Sequence, residues 1–286
     1  MLKKLDLLKK SIKSAIKEDV GKGDITTSLL ISKKLQGKAN ILVKEQCILA
    51  GIEICKMVCN EIDKKIKVKT FKKDGEQIKK DTIIAILEGP VASLLVAERI
   101  MLNYLQRMCG IASKTHKIKK LIGNDNIKIL DTRKTTPNLR VFEKYAVKMG
   151  GGKNHRMGLY DEILVKDNHI EANDGIINTL EKLKKNIGDK KIKTKIIVEI
   201  KNIDEFKITL KYSFIDRILL DNFTPQALTQ AVSMLKMEGG FETEASGGIN
   251  LENIESYAQS GVDYVSVGAL IHQARSVDLS LKAVNF

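Results

Sequence analysis

The second half of the chain alternates short apolar runs with longer amphipathic segments. The apolar runs are rich in β-branched residues and predict strands at 127–130, 162–165, 195–200, 217–220, 241–245 and 264–267. The amphipathic segments between them predict helices at 204–211, 225–235 and 251–259. This alternation is typical of a parallel sheet covered by helices.

The first half has a different pattern. It opens with a predicted helix whose apolar positions recur at helical spacing: Leu5, Leu8, Ile12 and Ile16. A small α/β layer follows, with β-rich runs at 39–44, 66–71 and 82–87 and a helix at 52–62. A long helical region then covers residues 91–122, and Gly110 is predicted to divide it into two helices.

Polar residues follow each predicted strand of the second half. They are Asp131 and Arg133, Lys166 and Asp167, Glu199 and Lys201, Asp221 and Asn222, Ser246, Gly247 and Gly248, and Gly268. In an α/β barrel the carboxyl ends of all strands meet at one mouth, whereas an open sheet concentrates such residues near one switch point. The sequence therefore favours a barrel of about six strands, incomplete or closed by a further element.

Composition limits the classes of function. With 286 residues and 43% hydrophobic content, the chain can bury a sizeable core. The formal net charge of +14 comes from dispersed lysines, and Trp is absent, which argues against a nucleic-acid platform. The four cysteines lack a CxxC pair and are predicted to be buried and reduced. The sequence shows no membrane span or signal peptide, so we expect a cytoplasmic protein.

The arginines are concentrated in one part of the chain. Of the seven, five lie between residues 99 and 156: Arg99, Arg107, Arg133, Arg140 and Arg156. A guanidinium binds a carboxylate or phosphate through two parallel hydrogen bonds, which lysine cannot do. This concentration, in a region that also contains Lys134, His155 and Lys166, predicts a site for an anionic small molecule.

Two further groups add chemistry to this site. Glycines after the last two predicted strands, Gly247 with Gly248 and then Gly268, expose backbone N–H groups and favour phosphate binding. Glu199 and Asp221 end adjacent predicted strands and suit sugar hydroxyls, a magnesium ion carrying phosphates, or a developing positive charge. Alternatively, these carboxylates neutralise nearby cations.

Lys166 has two interpretations. A lysine on a barrel strand is a common Schiff-base nucleophile, but the neighbouring arginines favour electrostatic clamping of an anion. His155 is predicted to act as a general base or to orient a neighbouring group, and His169 to brace the helix after Lys166.

Eight motifs, in order across nearly the whole chain, resemble the quinolinate phosphoribosyltransferase family. They are EDVGKGDITT, ERIMLNYLQRMCGIAS, DTRKTTPNLR, GGGKNHRMGLYDEILVKDNHI, VEIKN, LLDN, EASGGI and VSVGALIH. The resemblance implies an N-terminal α/β sandwich domain, residues 1–110 with 271–286 packed on it, and an incomplete α/β barrel of six to seven strands, residues 111–270. One departure is Asn138, where the family usually has glycine, and asparagine tolerates a left-handed turn.

The resemblance also implies a reaction, in which quinolinate and phosphoribosyl pyrophosphate give nicotinate mononucleotide, pyrophosphate and CO2, with Mg²⁺ required. Arg99, Arg133, Lys134, His155, Arg156 and Lys166 would hold the two quinolinate carboxylates, Arg99 reaching in from a neighbouring subunit of a homo-oligomer. Glu199 and Asp221 would serve the ribose and the magnesium-bound pyrophosphate, directly or through water. The 5′-phosphate would bind at Ser246, Gly247, Gly248 and Gly268. The expected catalytic residues are Lys134, Lys166, Glu199 and Asp221.

Three alternatives remain open. A related phosphoribosyltransferase could act on a base with one carboxylate, such as nicotinate, although the many cations favour a dicarboxylate. A sugar-phosphate barrel enzyme could use Lys166 covalently, and borohydride would trap that intermediate. A nucleic-acid-binding role would be revealed by a salt-sensitive gel shift.

Overall fold

The computed structural model describes residues 2–238 and 240–286. The helices are α1 (Leu2–Val20), α2 (Ile25–Leu30), α3 (Ile52–Ile62), α4 (Val91–Ile122), α5 (Arg140–Met149), α6 (Asp167–Glu171), α7 (Ile176–Lys190), α8 (Ile203–Thr209), α9 (Pro225–Glu238), α10 (Ile254–Ala258) and α11 (Ala269–His272). The strands are β1 (Gln36–Val43), β2 (Cys47–Ile48), β3 (Lys67–Thr70), β4 (Gln77–Ile78), β5 (Thr82–Pro90), β6 (Lys128–Leu130), β7 (Ile163–Val165), β8 (Ile196–Ile200), β9 (Arg217–Asp221), β10 (Glu242–Ser246), β11 (Tyr264–Ser266) and β12 (Leu279–Asn285).

The first compact unit comprises Met1–Lys117, Thr135–Gly151 and Leu270–Phe286. Its main sheet is antiparallel, with the strand order β12-β1-β5-β3. Alternate residues of β1 are fully buried, as expected for a strand with one face on a core. Helix α1 contacts α3 and α5 and buries Ile12, while the side chain of Leu5 lies outside the described part of the chain.

The second compact unit comprises Ile118–Lys134 and Gly152–Ala269. Within its described residues, six strands form one parallel sheet in the order β6-β11-β10-β9-β8-β7. Every residue of β8 is buried, as expected for a strand covered on both faces. The predicted mixed α/β fold is confirmed, and the six parallel strands are consistent with an incomplete barrel.

The prediction that Gly110 divides the long helix is wrong. Helix α4 runs without interruption from Val91 to Ile122. A Cβ atom at Gly110 would lie 1.9 Å from the carbonyl oxygen of Arg275. Glycine therefore permits the close approach of another backbone segment, and the cost of one glycine does not end a helix of 32 residues.

Two smaller predictions are confirmed. All four cysteines are buried and carry free thiols. Asn138 adopts a left-handed φ of 65°, a conformation that asparagine tolerates better than most residues. Within residues 2–238 and 240–286, no helix has the length and apolar character needed to cross a membrane.

Gly110→Ala should lower the free energy of unfolding by about 1–3 kcal/mol, because the new methyl group would collide with the Arg275 carbonyl. Helix propensity alone predicts the opposite sign. The matched control is Gly188→Ala in α7, where a Cβ would meet nothing within 4 Å. We expect the control to be neutral or stabilising by up to about 1 kcal/mol. Urea unfolding measures both, and equal effects would contradict the steric explanation.

Candidate active site

Three predicted site residues share one face of the parallel sheet. A buried apolar cluster on the neighbouring strands β7, β8 and β9 consists of Leu164, Ile197 and Leu219. Successive strand residues point to opposite faces, so positions two residues further on return to the face of this cluster. These positions are Lys166, Glu199 and Asp221. The site therefore lies one layer beyond the apolar cluster, at the carboxyl ends of the strands.

Lys166 and Glu199 form an ion pair at this edge. Val165 pairs with Val198, so the next residues of the two strands lie opposite each other. The Nζ atom of Lys166 is 2.6 Å from Oε2 of Glu199. Glu199 is 8% exposed, whereas the Lys166 side chain remains 42% exposed. An ammonium has three donors, so Lys166 keeps donor capacity for an anion.

Arg156 is the buried cation of the site. It is 6% exposed, and its Nη1 donates to the carbonyl oxygen of Glu162 at 3.2 Å. Its Nε is buried without a hydrogen-bond partner among the described residues. Burial lowers the pKa of Arg156, Arg133 lowers it further, and Glu162 and Glu199 oppose the shift. Arg133 and Arg156 are therefore close enough to repel each other, which suits binding of a multiply charged anion.

The segment preceding Arg156 is fixed by the carboxylate of Asp131, which follows β6. Asp131 is fully buried and accepts from the backbone N–H of His155 at 2.9 Å and from the side-chain amide of Asn154 at 2.5 Å. The sequence predicted Asp131 at the mouth of the barrel, and the structure adds that its carboxylate supports the segment that precedes Arg156. His169 braces α6 as predicted, because its Nδ1 accepts from the backbone N–H of Lys166 at 2.9 Å.

Sequence reasoning missed a buried charge network inside this sheet. Glu244 is fully buried, and its carboxylate accepts from Arg217 Nη1 at 2.9 Å and from the hydroxyl of Ser266. Nε2 of His155 lies 3.4 Å from the same carboxylate. Burial would raise the pKa of Glu244, but His155, Ser266 and Arg217 outweigh it and hold that pKa below its usual value. Strand parity was the available signal, since Glu242, Glu244 and Ser246 alternate along β10.

The glycine turns follow neighbouring strands, as predicted. Ser246 pairs with Asp221, and the backbone N–H of Asn222 donates to the Ser246 carbonyl at 2.8 Å. Gly247 has a φ of 98°, and a Cβ there would lie 2.2 Å from Oδ1 of Asn222, so this turn requires glycine. Gly268 comes two residues after the end of β11, the neighbour of β10.

The remaining predicted residues are exposed. Arg99 lies on α4 in the first unit, while Arg133 and Lys134 lie in the loop after β6. The backbone N–H of Lys134 donates to the Thr132 hydroxyl at 3.0 Å.

The described residues contain no group of three or more His, Cys, Asp or Glu side chains able to hold a metal ion. Glu199 and Asp221 remain as two carboxylates on one face of adjacent strands. Mg²⁺ typically binds through one or two carboxylates together with substrate phosphates, so this donor set fits a magnesium ion that arrives with a phosphorylated substrate.

The fold and the site together define an α/β-barrel type of enzyme whose strand ends suit anionic, phosphate-bearing substrates. The chain matches the model of the quinolinate phosphoribosyl transferase N-terminal domain over residues 24–109 and that of the C-terminal domain over residues 111–282. The chain belongs to the quinolinate phosphoribosyltransferase family.

The sequences of individual relatives align with this chain over most of their length. The chain is 39% identical to the chloroplastic nicotinate-nucleotide pyrophosphorylase (carboxylating) of Arabidopsis thaliana, covering 96% of this chain and 82% of that protein. It is 38% identical to quinolinate phosphoribosyltransferase (decarboxylating) 1b of Nicotiana tabacum, with the same coverage. The solved nicotinate-nucleotide pyrophosphorylase of Francisella tularensis superposes with a TM-score of 0.90 at 36% identity, covering 97% of this chain and 96% of that one.

Arg217→Met should lower the free energy of unfolding by about 3–5 kcal/mol at pH 7, because Glu244 would remain buried without its cation. Because the folded protein lowers the pKa of Glu244, the ionised carboxylate stabilises the fold at pH values above the pKa of an unfolded glutamate, about 4.3. This stabilisation is lost as the pH falls through the lower pKa of the folded state. In the variant, the unpaired Glu244 carboxylate would take up a proton at a higher pH than in the native protein. The deficit, which is the loss in free energy of unfolding relative to the native protein, should therefore shrink from pH 7 to pH 5.

Urea unfolding at the two pH values measures this deficit. The control is Arg275→Met, whose partner is Glu45 but whose side chain is 75% exposed, and we expect a loss of about 0–1 kcal/mol. A deficit for Arg217→Met that is the same at both pH values would contradict a charged Glu244.

Proposed function

We propose that this protein transfers the phosphoribosyl group of phosphoribosyl pyrophosphate to quinolinate with decarboxylation. The products are nicotinate mononucleotide, pyrophosphate and CO2, a step of NAD biosynthesis. The observation that carries this proposal is the cluster of Arg133, Arg156 and Lys166 beside the buried Glu199. One carboxylate does not need three cations, whereas the two carboxylates of quinolinate do.

The quinolinate end of the site is assigned to the cations. Arg156 has a buried Nε–H without a partner among the described residues, and a substrate carboxylate would supply its acceptor. Arg133, Lys134 and Lys166 would surround the same anion from more exposed positions. His155 belongs to this group in the family pattern.

The phosphoribosyl end is assigned to the carboxylates and the glycine turns. Glu199 and Asp221 would face the ribose, and the backbone N–H groups after β10 and β11 would receive the 5′-phosphate at Ser246, Gly247, Gly248 and Gly268. Mg²⁺, when bound with the substrate, would neutralise charge on the departing pyrophosphate.

The chemistry requires placement of charge and no covalent enzyme nucleophile. As the bond from C1′ to pyrophosphate breaks, the ribose ring becomes positive, and Glu199 and Asp221 would stabilise it. The pyridine nitrogen bonds to C1′ and becomes cationic. This charge stabilises the electron pair left on the ring carbon when the adjacent carboxylate departs as CO2, and that carbon then takes a proton. Lys166 is accordingly assigned to clamping.

The test is release of ¹⁴CO2 from carboxyl-labelled quinolinate with phosphoribosyl pyrophosphate and Mg²⁺. We expect turnover that is lost in EDTA and restored by excess Mg²⁺. Nicotinate in place of quinolinate should yield little mononucleotide, because it leaves part of the cationic cluster unpaired. Equal turnover of nicotinate, or an absence of labelled CO2, would contradict the proposed substrate.

We also propose a cytoplasmic location, which the four free cysteines support.

We further propose that the active enzyme is a homo-oligomer in which Arg99 completes the quinolinate site of the partner subunit. Mixing inactive Arg99→Ala and Lys166→Ala chains should then restore activity. Random reassortment of dimers gives one intact site in each hybrid, so about a quarter of the native activity should return.

The matched control mixes Lys166→Ala with Glu199→Gln chains. These two residues form one ion pair in one chain, so no hybrid would contain an intact site and no activity should return. Recovery of equal size in both mixtures, or no recovery in the first, would contradict sharing of Arg99.

A further inference from the structure

We propose that Asn222 is a positioning residue of the phosphoribosyl site, because its side chain holds the Asp221 carboxylate and also shapes the glycine turn after β10. The assignment of this carboxylate and this turn to a phosphoribosyl ligand rests on the proposed function. The contacts themselves lie within the second compact unit and do not depend on that assignment.

Asn222 occupies a position where the core makes no demand on its side chain. It is the first residue after β9, it is exposed, and its φ of 57° is left-handed. Glycine would adopt that backbone conformation at least as well. Backbone conformation and core packing therefore do not account for the side-chain amide, whereas its contacts do.

The amide of Asn222 connects two groups at the carboxyl ends of β9 and β10. Its Nδ2 donates to Oδ2 of Asp221 at 2.6 Å. An ionised carboxylate can only accept, so it selects the NH2 end of the amide and leaves Oδ1 at the other end. A Cβ atom on Gly247 would lie 2.2 Å from that Oδ1, so the amide fills the space that glycine leaves open.

Asparagines also engage two carbonyl oxygens of the glycine turn. The backbone N–H of Asn222 donates to the Ser246 carbonyl at 2.8 Å, and Nδ2 of Asn253 donates to the Gly248 carbonyl at 3.0 Å. Carbonyl oxygens repel a phosphate, whereas backbone N–H groups bind it. Engaging these two carbonyls therefore favours a turn that presents its N–H groups to an anion.

The hydrogen bond to Asp221 restricts rotation of its carboxylate. It engages Oδ2 and leaves Oδ1 to a ribose hydroxyl. Because Ser246 pairs with Asp221, the turn and the carboxylate are neighbours across β9 and β10. Loss of the Asn222 amide should therefore weaken binding of the phosphoribosyl group and leave the cations for quinolinate unchanged.

The experiment titrates ribose 5-phosphate into the protein by calorimetry. We expect Asn222→Gly, which keeps the left-handed backbone, to weaken binding about tenfold. Asn222→Asp has the same size but places a second carboxylate beside Asp221, so it should weaken binding further, and it serves if Asn222→Gly does not fold. The control is Asp174→Gly, at an exposed residue with a left-handed φ of 56° before α7, and its binding should be native. Native affinity in the Asn222 variants would overturn the inference.

A double-mutant cycle with Asp221→Ala separates positioning from a general loss of structure. If Asn222 acts in part through Asp221, its replacement by glycine should weaken binding only about threefold in the Asp221→Ala background. A purely structural role would give the same fold-change in both backgrounds, and that result would contradict positioning.

Steady-state kinetics give a second readout. Asn222→Gly should raise the KM for phosphoribosyl pyrophosphate about tenfold and leave the KM for quinolinate unchanged, whereas an equal rise in both would refute the assignment. If the native protein binds ribose 5-phosphate but releases no CO2 from quinolinate, the proposed function fails, and the titrations still decide the role of Asn222. A native protein that does not bind ribose 5-phosphate would overturn the inference about Asn222.

Discussion

The burial of Glu244 is the constraint on which the interior of the parallel sheet depends. Moving an ionised carboxylate out of water costs several kcal/mol unless hydrogen bonds and an opposite charge replace its hydration. Here Arg217, Ser266 and His155 surround the carboxylate. They hold the pKa of Glu244 below its usual value despite burial, while Glu244 and Glu242 raise the pKa of Arg217 against the opposing effect of its burial. The pairing therefore outweighs desolvation for both partners, and the strands β9, β10 and β11 must keep one register to maintain it.

The register of the parallel strands also places charged side chains directly beyond a set of buried apolar side chains. Leu164, Ile197 and Leu219 form an apolar layer, and two residues further along their strands the chain presents Lys166, Glu199 and Asp221. Leu164, Ile197 and Leu219 are 9%, 0% and 4% exposed, so water does not reach the three charged side chains through this cluster. A slip of one residue in any of these strands would turn its charged side chain to the opposite face. Burial of the apolar cluster fixes the face of each strand that points inward, and this determines the face on which Lys166, Glu199 and Asp221 lie.

Much of this was accessible from sequence, because each strand is short, apolar and followed by polar residues. The six parallel strands and the ends at Glu199 and Asp221 follow from local rules, and the left-handed Asn138 follows from the resemblance to the family. The role of Gly110 did not, because the reason for that glycine is the carbonyl of Arg275, which is distant in sequence. Asp131 was placed at the mouth because it follows a strand, but its partners Asn154 and His155 come from a later segment. Local patterns predict elements, and the contacts between elements decide what a particular side chain does.

Arginine usage connects the network to the proposed site. Of the seven arginines, all in the described residues, Arg156 and Arg217 are buried, at 6% and 5% exposure. A lysine at either place could lose its charge on burial, whereas a guanidinium stays ionised and offers five donors in a fixed plane. Arg217 uses its donors on Glu242 and Glu244, and Arg156 uses Nη1 on a carbonyl. The concentration of arginine between residues 99 and 156 indicated where an anion would bind. Arg217, outside that stretch, pairs with one oxygen of the Glu244 carboxylate, and Nε2 of His155, the residue before Arg156, lies 3.4 Å from the other oxygen.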